Sequence, residues 1–192
     1  MTNGPILIVL GPQGSGKGTQ VELLSKQFNI PSVSAGELLR STIAKQSELG
    51  KKIGALLDQG ILVTIDLWEK VIGEYIDQAD LSNGYILEGV LRTLEQVERF
   101  NQILDARHLE QPWVLEIKLD DETATKRLLL RGRHDDTEAA IRTRLEWSRN
   151  EVQPVIDYYK QKDQLVSVDG NQSIEQVHAD IVAGLKQAGV LN

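Results

Sequence analysis

Short apolar runs alternate with longer amphipathic stretches along this chain. The runs are rich in β-branched residues and are bounded by turn residues, which is typical of buried strands. Five strands are predicted, at 6–10, near Val33, and at 85–87, 114–119 and 165–168. The stretches between them are long enough for crossover helices. The pattern therefore predicts an α/β fold with a five-stranded parallel sheet flanked by helices.

The amphipathic stretches have apolar residues at helical spacing. Helices are predicted over 17–28, 65–79, 93–105, 121–131, 137–162 and from Ser173 onward, and residues 37–59 are predicted to form two short helices with a break near 47–50. The long helix over 137–162 has one apolar stripe, which consists of Ile141, Leu145, Ser148, Val152, Val155 and Tyr159. Thr64 and Ser173 are expected to cap their helices.

The first apolar run leads directly into a glycine-rich turn. Gly11 and Gly16 precede Lys17, and a helix is predicted to begin at once. This order is that of a P-loop, in which backbone amides and the positive end of a helix surround a phosphate group. Lys17 would reach the β- and γ-phosphates of a nucleotide, and Thr19 would place a hydroxyl near Mg²⁺. Gly18 departs from the pattern, since Ser or Thr usually follows the lysine, and the alternative is a plain glycine turn with an exposed lysine.

The ends of the first three predicted strands indicate where a ligand would bind. In an open parallel sheet, ligands lie beyond the carboxyl ends of the strands. The segments that follow those strands are 11–19, 34–37 and 88–92. We therefore expect these segments to face one crevice of a three-layer P-loop fold.

Composition excludes several classes of protein. The 192 residues suggest one domain with a sizeable core, and the net charge of −7 argues against general binding to nucleic acid or a membrane surface. Cysteine is absent, which excludes disulfides and cysteine–metal sites. The apolar run at the amino terminus is too short for a signal peptide or a membrane span. We expect neither a nucleic-acid partner nor a membrane partner.

The arginines are concentrated in one part of the chain. Six of the ten are Arg127, Arg131, Arg133, Arg142, Arg144 and Arg149. Arg142 and Arg149 lie to one side of the apolar stripe and are expected to form surface ion pairs, for example between Arg142 and Glu138. Arg144 borders the stripe. We favour phosphate binding for Arg127, Arg131, Arg133 and Arg144, because phosphoryl transfer needs fixed donors around a spreading negative charge.

Two further arginines follow strand ends that should line the crevice. Arg40 follows the second predicted strand, and Arg92 follows the third. Ordinary surface charge is the alternative for both. Their common side of the sheet suggests a second anionic ligand beside a nucleotide triphosphate.

These stretches together resemble the adenylate kinases, which are nucleoside monophosphate kinases, over nearly the whole chain. Residues 11–20 resemble the family's Gly-x-Pro-Gly-x-Gly-Lys-Gly-Thr-Gln loop, and residues 34–40 resemble Ser-Thr-Gly-Asp-x-x-Arg. Residues 88–93 resemble Asp-Gly-Phe-Pro-Arg-Thr, and residues 133–136 with Arg144 match the lid pattern. The lid, at about 131–137, is short and is similar to that of members without an inserted zinc subdomain.

The resemblance implies reversible phosphoryl transfer from ATP to AMP, which gives two ADP and requires Mg²⁺. It implies ATP binding by Gly14, Ser15, Gly16, Lys17, Gly18, Thr19, Arg131 and Gln172. It implies AMP binding by Ala35, Arg40, Ile61, Leu62, Val63, Gly89, Arg92, Gln96, Arg133 and Arg144. The implied catalytic residues are Lys17, Arg92, Arg131, Arg133 and Arg144. Thr19 and, through water, Glu88 are implied at the metal.

The resemblance also implies an organisation for the chain. Residues 1–192 would form a single P-loop kinase domain, with an acceptor-nucleotide segment at about 34–63 and the lid at about 131–137. A monomer in the cytoplasm is expected.

Most departures from the family pattern fall on the acceptor side. Gln13 replaces the loop proline, and Ala35 lacks the usual threonine hydroxyl. Glu88 is one methylene longer than the aspartate that it replaces, and Val90 and Leu91 replace Phe-Pro. The ATP side is nearly intact, so kinase chemistry follows more strictly from the resemblance than the identity of the acceptor does.

Two alternatives stay open at this point. One is another nucleoside monophosphate kinase, of the UMP/CMP type, although Thr93 and Gln96 favour adenine. The other is a non-catalytic regulator that binds a nucleotide. The lid arginines argue against it, because simple ATP binding has little use for them.

Two further expectations concern aromatic and histidine residues. Trp68, Trp113 and Trp147 are expected to pack, and His108 and His178 are expected to lie on the surface.

Overall fold

The computed structural model describes residues 4–59, 63–132 and 137–191. Its five strands form one sheet in the order β2-β3-β1-β4-β5, and every neighbouring pair is parallel. The strands are β1 (Ile6–Leu10), β2 (Ser32–Ser34), β3 (Tyr85–Glu88), β4 (Trp113–Lys118) and β5 (Leu165–Asp169). The predicted α/β fold with a five-stranded parallel sheet is confirmed.

Helices connect and cover these strands. They are α1 (Lys17–Phe28), α2 (Ala35–Ala44), α3 (Glu48–Asp58), α4 (Ile65–Gln78), α5 (Leu94–Asp105), α6 (Asp121–Arg131), α7 (Glu138–Gln161) and α8 (Ile174–Gln187). Thr137 caps α7 and Ser173 caps α8 through their side chains, and α7 continues through Pro154. Thr64 stands at the N-cap of α4, but its side chain makes no capping hydrogen bond.

The sheet separates two apolar clusters, which explains why its central strands are apolar on both faces. One cluster joins the sheet to α4, α5 and α7 and includes the fully buried Phe100 and Tyr159. The other joins the opposite face to α1 and α8 through residues such as Leu24 and Ile181. A smaller third cluster packs α6 against the start of α7.

The prediction for residues 37–59 was wrong in the position of the break. Helix α2 begins at Ala35, within the turn and helix start that the sequence indicates at 34–37, and Ser34 and Glu37 form a reciprocal capping box there. The break covers 45–47 instead of 47–50, since Ser47 caps α3 and Gly50 lies inside that helix. A Cβ at Gly50 would lie 2.3 Å from the carbonyl oxygen of Thr42. Glycine is therefore needed there for the close contact of α2 and α3.

One histidine prediction needs correction. His178 is partly buried between α8 and α1. Its Nδ1 lies 3.1 Å from Oε1 of Gln20, and its Nε2 lies 2.6 Å from Oε1 of Gln27. His108 is exposed, as predicted.

Among the described helices, none has both the length and the apolar character needed to cross a bilayer.

Candidate active site

The carboxyl ends of the three strands that precede the predicted site segments are neighbours in the sheet. Glu88, the last residue of β3, pairs with Val9 on one side and with Ser34 on the other. The amide of Gly89 donates to the carbonyl of Val9 at 3.1 Å. The segments after β1, β2 and β3 therefore begin at one edge of the sheet, as the sequence predicts.

The P-loop depends on glycine backbone conformations. Gly11 has a φ of +146°, and a Cβ there would lie 2.4 Å from the carbonyl oxygen of Ile117 on β4. Gly16 caps α1 in the left-handed region, with a φ of +86°. These conformations turn the chain from β1 directly into α1, so the amides at the start of the helix lack partners within it and can bind an anion.

Lys17 is held inside the loop that it follows. Its Nζ donates to the carbonyl oxygens of Gly11 at 2.9 Å and Pro12 at 2.8 Å. Burial lowers the pKa of Lys17 to about 8, and the charges of Arg92 and Arg131 act in the same direction, while Glu88 opposes them. The charges of Glu88, Arg92 and Arg131 therefore all act on the Lys17 ammonium.

Glu88 faces the start of α1. A Cβ built on Gly18 would lie 3.7 Å from Oε2 of Glu88. Burial raises the pKa of the Glu88 carboxyl, and the nearby Lys17 ammonium counteracts this shift. Nucleotide-bound Mg²⁺ keeps several waters and needs only one or two protein oxygens, so Glu88 and the hydroxyl of Thr19, an exposed residue, fit that requirement. Among the described residues, no three or more His, Asp or Glu side chains form a closed metal cage.

The loop after β3 is anchored by its side chains. Val90 and Leu91 are 1% and 0% exposed, so the two residues that replace the family's Phe-Pro lie in the core. Nε1 of Trp68 on α4 donates to the carbonyl of Val90 at 3.0 Å. This anchoring fixes the backbone on which the next residue, Arg92, is exposed.

Arg92 contacts residues on two other elements. Its amide donates to Oε1 of Gln96 on α5 at 2.7 Å. Its guanidinium carbon lies 5.5 Å from the ring centroid of Trp147 on α7. Gln96 is thus engaged with the backbone of the loop after β3 (89–93, called the acceptor loop after the role that the resemblance implies). It lies beside Arg92, to which the resemblance assigns the AMP phosphate.

Two arginines from the lid side reach the P-loop. Nη1 of Arg144 donates to Oε1 of Gln13 at 3.2 Å, which agrees with its predicted position at the border of the apolar stripe. Nη1 of Arg127 lies 3.4 Å from the carbonyl of Gly14. Arg142 and Arg149 are exposed, and Arg149 pairs with Asp121 on α6.

Arg40 lies on α2, which begins with a capping box. The Ser34 hydroxyl accepts from the Glu37 amide at 3.2 Å, and the Glu37 carboxylate accepts from the Ser34 amide at 2.8 Å. Hydrogen bonds from the Ser34 amide and hydroxyl lower the pKa of the Glu37 carboxyl. The side chain of the exposed Arg40 folds back over this turn. A Cβ built on Gly36 would lie 3.0 Å from Nη1 of Arg40. Ala35 is partly buried beside it.

The remaining predicted residues make contacts elsewhere in the chain or lie outside the described residues. Val63 packs against the first apolar cluster just before α4. Gln172, after β5, donates to the carbonyl of Asp169 and to the carboxylate of Asp180. Ile61, Leu62 and Arg133, together with 134–136, lie outside the described residues.

Sequence reasoning missed two contacts of the site. Gln13 is predicted only as a replacement of the loop proline, and the structure shows that it also accepts a hydrogen bond from Arg144. Trp147 was expected to pack, yet its residue surface is 38% exposed and it contacts Arg92. Its position one helical turn after Arg144, outside the apolar stripe, was the signal available in the sequence.

Comparison with known proteins shows the family of this chain. The model of the adenylate kinase family matches residues 9–164. An adenylate kinase of Corynebacterium urealyticum is 38% identical over 171 residues, which cover 89% of this chain and 93% of that protein. Adenylate kinase 1 of a Nostoc species is 38% identical over 93% of this chain and 97% of its own length, and the Brucella ovis adenylate kinase is 38% identical over 91% and 95%. The family match spans both the P-loop and the acceptor loop, and the chain belongs to the adenylate kinase family.

Proposed function

We propose that this chain is an adenylate kinase that catalyses the reversible transfer of a phosphoryl group from ATP to AMP, giving two ADP. The main supporting observation is that the P-loop and the acceptor loop begin at one edge of the sheet, and that the charges of Glu88, Arg92 and Arg131 act on Lys17. Such a site has one place for a triphosphate and one for a second anion.

The donor side binds ATP through the P-loop. The backbone amides of 14–19 surround the phosphates at the start of α1, where the helix dipole favours negative charge. Lys17 releases the carbonyls of Gly11 and Pro12 and turns to the β- and γ-phosphates. Arg131 contacts ATP from the end of α6, and Gln172 lies near its base.

The acceptor side binds AMP. Arg40 and Arg92 hold its phosphate, because guanidinium groups present paired donors to phosphate oxygens. The segment 61–63 and Gln96 contact its base, and Ala35 and Gly89 border the bound nucleotide.

Arginines on the lid side stabilise the transferred group. An oxygen of the AMP phosphate forms a bond to the γ-phosphorus, while the bond from that phosphorus to the β–γ bridging oxygen breaks. The attacking oxygen is already ionised, so no strong general base is required. Arg133 and Arg144 neutralise the charge that spreads over the moving group, together with Lys17, Arg92 and Arg131.

The metal is proposed to enter with ATP. When bound with ATP, Mg²⁺ would supply neutralisation of the charge that develops on the phosphates. Thr19 would hold it directly and Glu88 through water. We further propose that 34–63 and the lid at 131–137 move over the core within a single domain, and that the chain acts as a monomer in the cytoplasm.

An acceptor panel tests this function. The purified chain would be given ATP and Mg²⁺ with AMP, CMP, UMP or GMP in turn, and ADP formation would be coupled to an optical readout. Of the four acceptors, we expect rapid turnover only with AMP, and two ADP for each ATP consumed. Preference for CMP or UMP would support the pyrimidine kinase alternative, and ATP binding without turnover would support a non-catalytic regulator.

A further inference from the structure

One contact joins the acceptor loop to α7. The guanidinium carbon of Arg92 lies 5.5 Å from the ring centroid of Trp147, within the range of a cation–π interaction, which extends to about 6 Å. Trp147 is one of the large apolar residues that stay exposed, with 38% of its surface accessible. Its indole face is therefore in contact with a cation at the surface of the site, in place of apolar core.

Arg92 has few other restraints on its side chain. The Nε donates to the carbonyl of Gly89 at 3.4 Å, a weak hydrogen bond, whereas the strong bond to Gln96 involves the backbone amide. Among the described residues, no carboxylate lies within ion-pair distance of Arg92. The guanidinium thus keeps its charge available, since an aromatic face supplies no anion that an incoming phosphate would have to displace.

Helix α7 contacts both halves of the site within a single turn. Arg144 donates to Gln13 of the P-loop, and Trp147, three residues later, contacts Arg92 of the acceptor loop. Residues three apart lie on the same side of a helix. One turn of α7 therefore contacts both the P-loop and the Arg92 side chain.

We propose that Trp147 is a positioning residue for the acceptor nucleotide. It holds the Arg92 guanidinium at the site before the nucleotide arrives, so less side-chain freedom is lost when the phosphate binds. This inference rests on the proposed function, because it takes the ligand of Arg92 to be the AMP phosphate.

The test compares two substitutions that differ in the aromatic face. Trp147→Leu keeps apolar bulk and removes the face, whereas Trp147→Tyr keeps a face. We expect Trp147→Leu to raise the KM for AMP about 3- to 10-fold, with the KM for ATP and the kcat at saturation changed less than about twofold. Trp147→Tyr should stay within about twofold of the wild type in all three.

The matched control is the same substitution at another tryptophan. Trp113 lies at the amino-terminal end of β4, away from the site, and packs against the second apolar cluster. Trp113→Leu should leave the KM for AMP unchanged even where it lowers the melting temperature. Calorimetric titration with AMP alone should reproduce the order of affinities without any dependence on turnover.

Several results would overturn this inference. An unchanged KM for AMP in Trp147→Leu would contradict the inference. An equal rise of this KM in the Leu and Tyr variants would show that Trp147 contributes packing and not an aromatic face. Equal rises in the KM for AMP and for ATP would contradict an acceptor role. In these cases the wild type still phosphorylates AMP, so the proposed function stands. A wild type that neither binds nor phosphorylates AMP overturns both.

Discussion

The P-loop and the acceptor loop lie at the same edge of the sheet, but they are held in different ways. The P-loop is shaped by glycines with positive φ. Two of its backbone carbonyls, those of Gly11 and Pro12, accept hydrogen bonds from the Lys17 ammonium. The acceptor loop is held by burying Val90 and Leu91 in the core. One loop is thus fixed by backbone conformation and the other by packing.

This difference explains why Gly11 of the P-loop is kept while Val90 and Leu91 of the acceptor loop depart from the family pattern. Gly11 has a positive φ and no room for a Cβ, so only glycine is accepted there. An apolar anchor requires volume more than identity, and cores accept apolar replacements of similar volume. Val-Leu can therefore stand where the family motif has Phe-Pro, while Arg92 remains exposed at the site.

The largest expected effect comes from the charge inside the P-loop. Lys17→Met removes the ammonium that is proposed to bind the β- and γ-phosphates, and we expect kcat/KM to fall by about 10⁴-fold or more. Titration should also show loss of ATP binding. Lys26→Met, at an exposed position near the end of α1, is the control and should behave like the wild type. Retained turnover in Lys17→Met would remove the P-loop from the mechanism.

The next effect concerns an arginine that contacts the P-loop from α7. Arg144→Ala should lower kcat about 10³-fold, because the transferred group loses a guanidinium, while ATP affinity changes little. Single-turnover rates and ATP titration separate the two quantities. Arg142→Ala, exposed on the same helix, should leave both unchanged. Normal turnover in Arg144→Ala would contradict its role.

The packing of the acceptor loop is tested by a cavity. Leu91→Ala should lower the free energy of unfolding by about 2–5 kcal/mol, and it should weaken AMP binding more than ATP binding, because only the acceptor loop is loosened. Denaturant unfolding and two titrations measure this. Leu130→Ala, at a position 87% exposed, should cost less than about 0.5 kcal/mol. Equal weakening of both nucleotides would show that the two loops are not held independently.

The smallest expected effect is a pH dependence that distinguishes the two loops. The pKa of Lys17 is lowered to about 8, and bound phosphate favours its charged form, so ATP binding takes up a proton above that pH. The dissociation constant for ATP should therefore rise about tenfold between pH 7 and pH 9. The constant for AMP should change little over the same range. Parallel changes for both nucleotides would assign the dependence to another group.

The sequence predicted the fold well because its signals are local. The strand, glycine turn and helix around Lys17 follow from short-range pattern, and α1 has the predicted bounds. The break between α2 and α3 was misplaced, since glycine usually ends a helix, whereas Gly50 lies within one to allow close contact with Thr42. Such a contact between helices leaves no local signal.

The site was predicted where it depends on motifs and missed where it depends on tertiary contacts. The crevice at the strand ends follows from the parallel sheet. The contacts of Gln13 with Arg144 and of Trp147 with Arg92 join elements more than fifty residues apart, so only the folded arrangement could reveal them.

Transfer of a labelled phosphoryl group tests the central claim most directly. ATP labelled at its γ-phosphate would be incubated with unlabelled AMP, Mg²⁺ and the purified chain, and the products would be separated at early times. We predict that the label appears in the β-phosphate of the ADP made from AMP, only when AMP is present, and with little inorganic phosphate. Label released as inorganic phosphate while AMP stays unchanged would contradict the account.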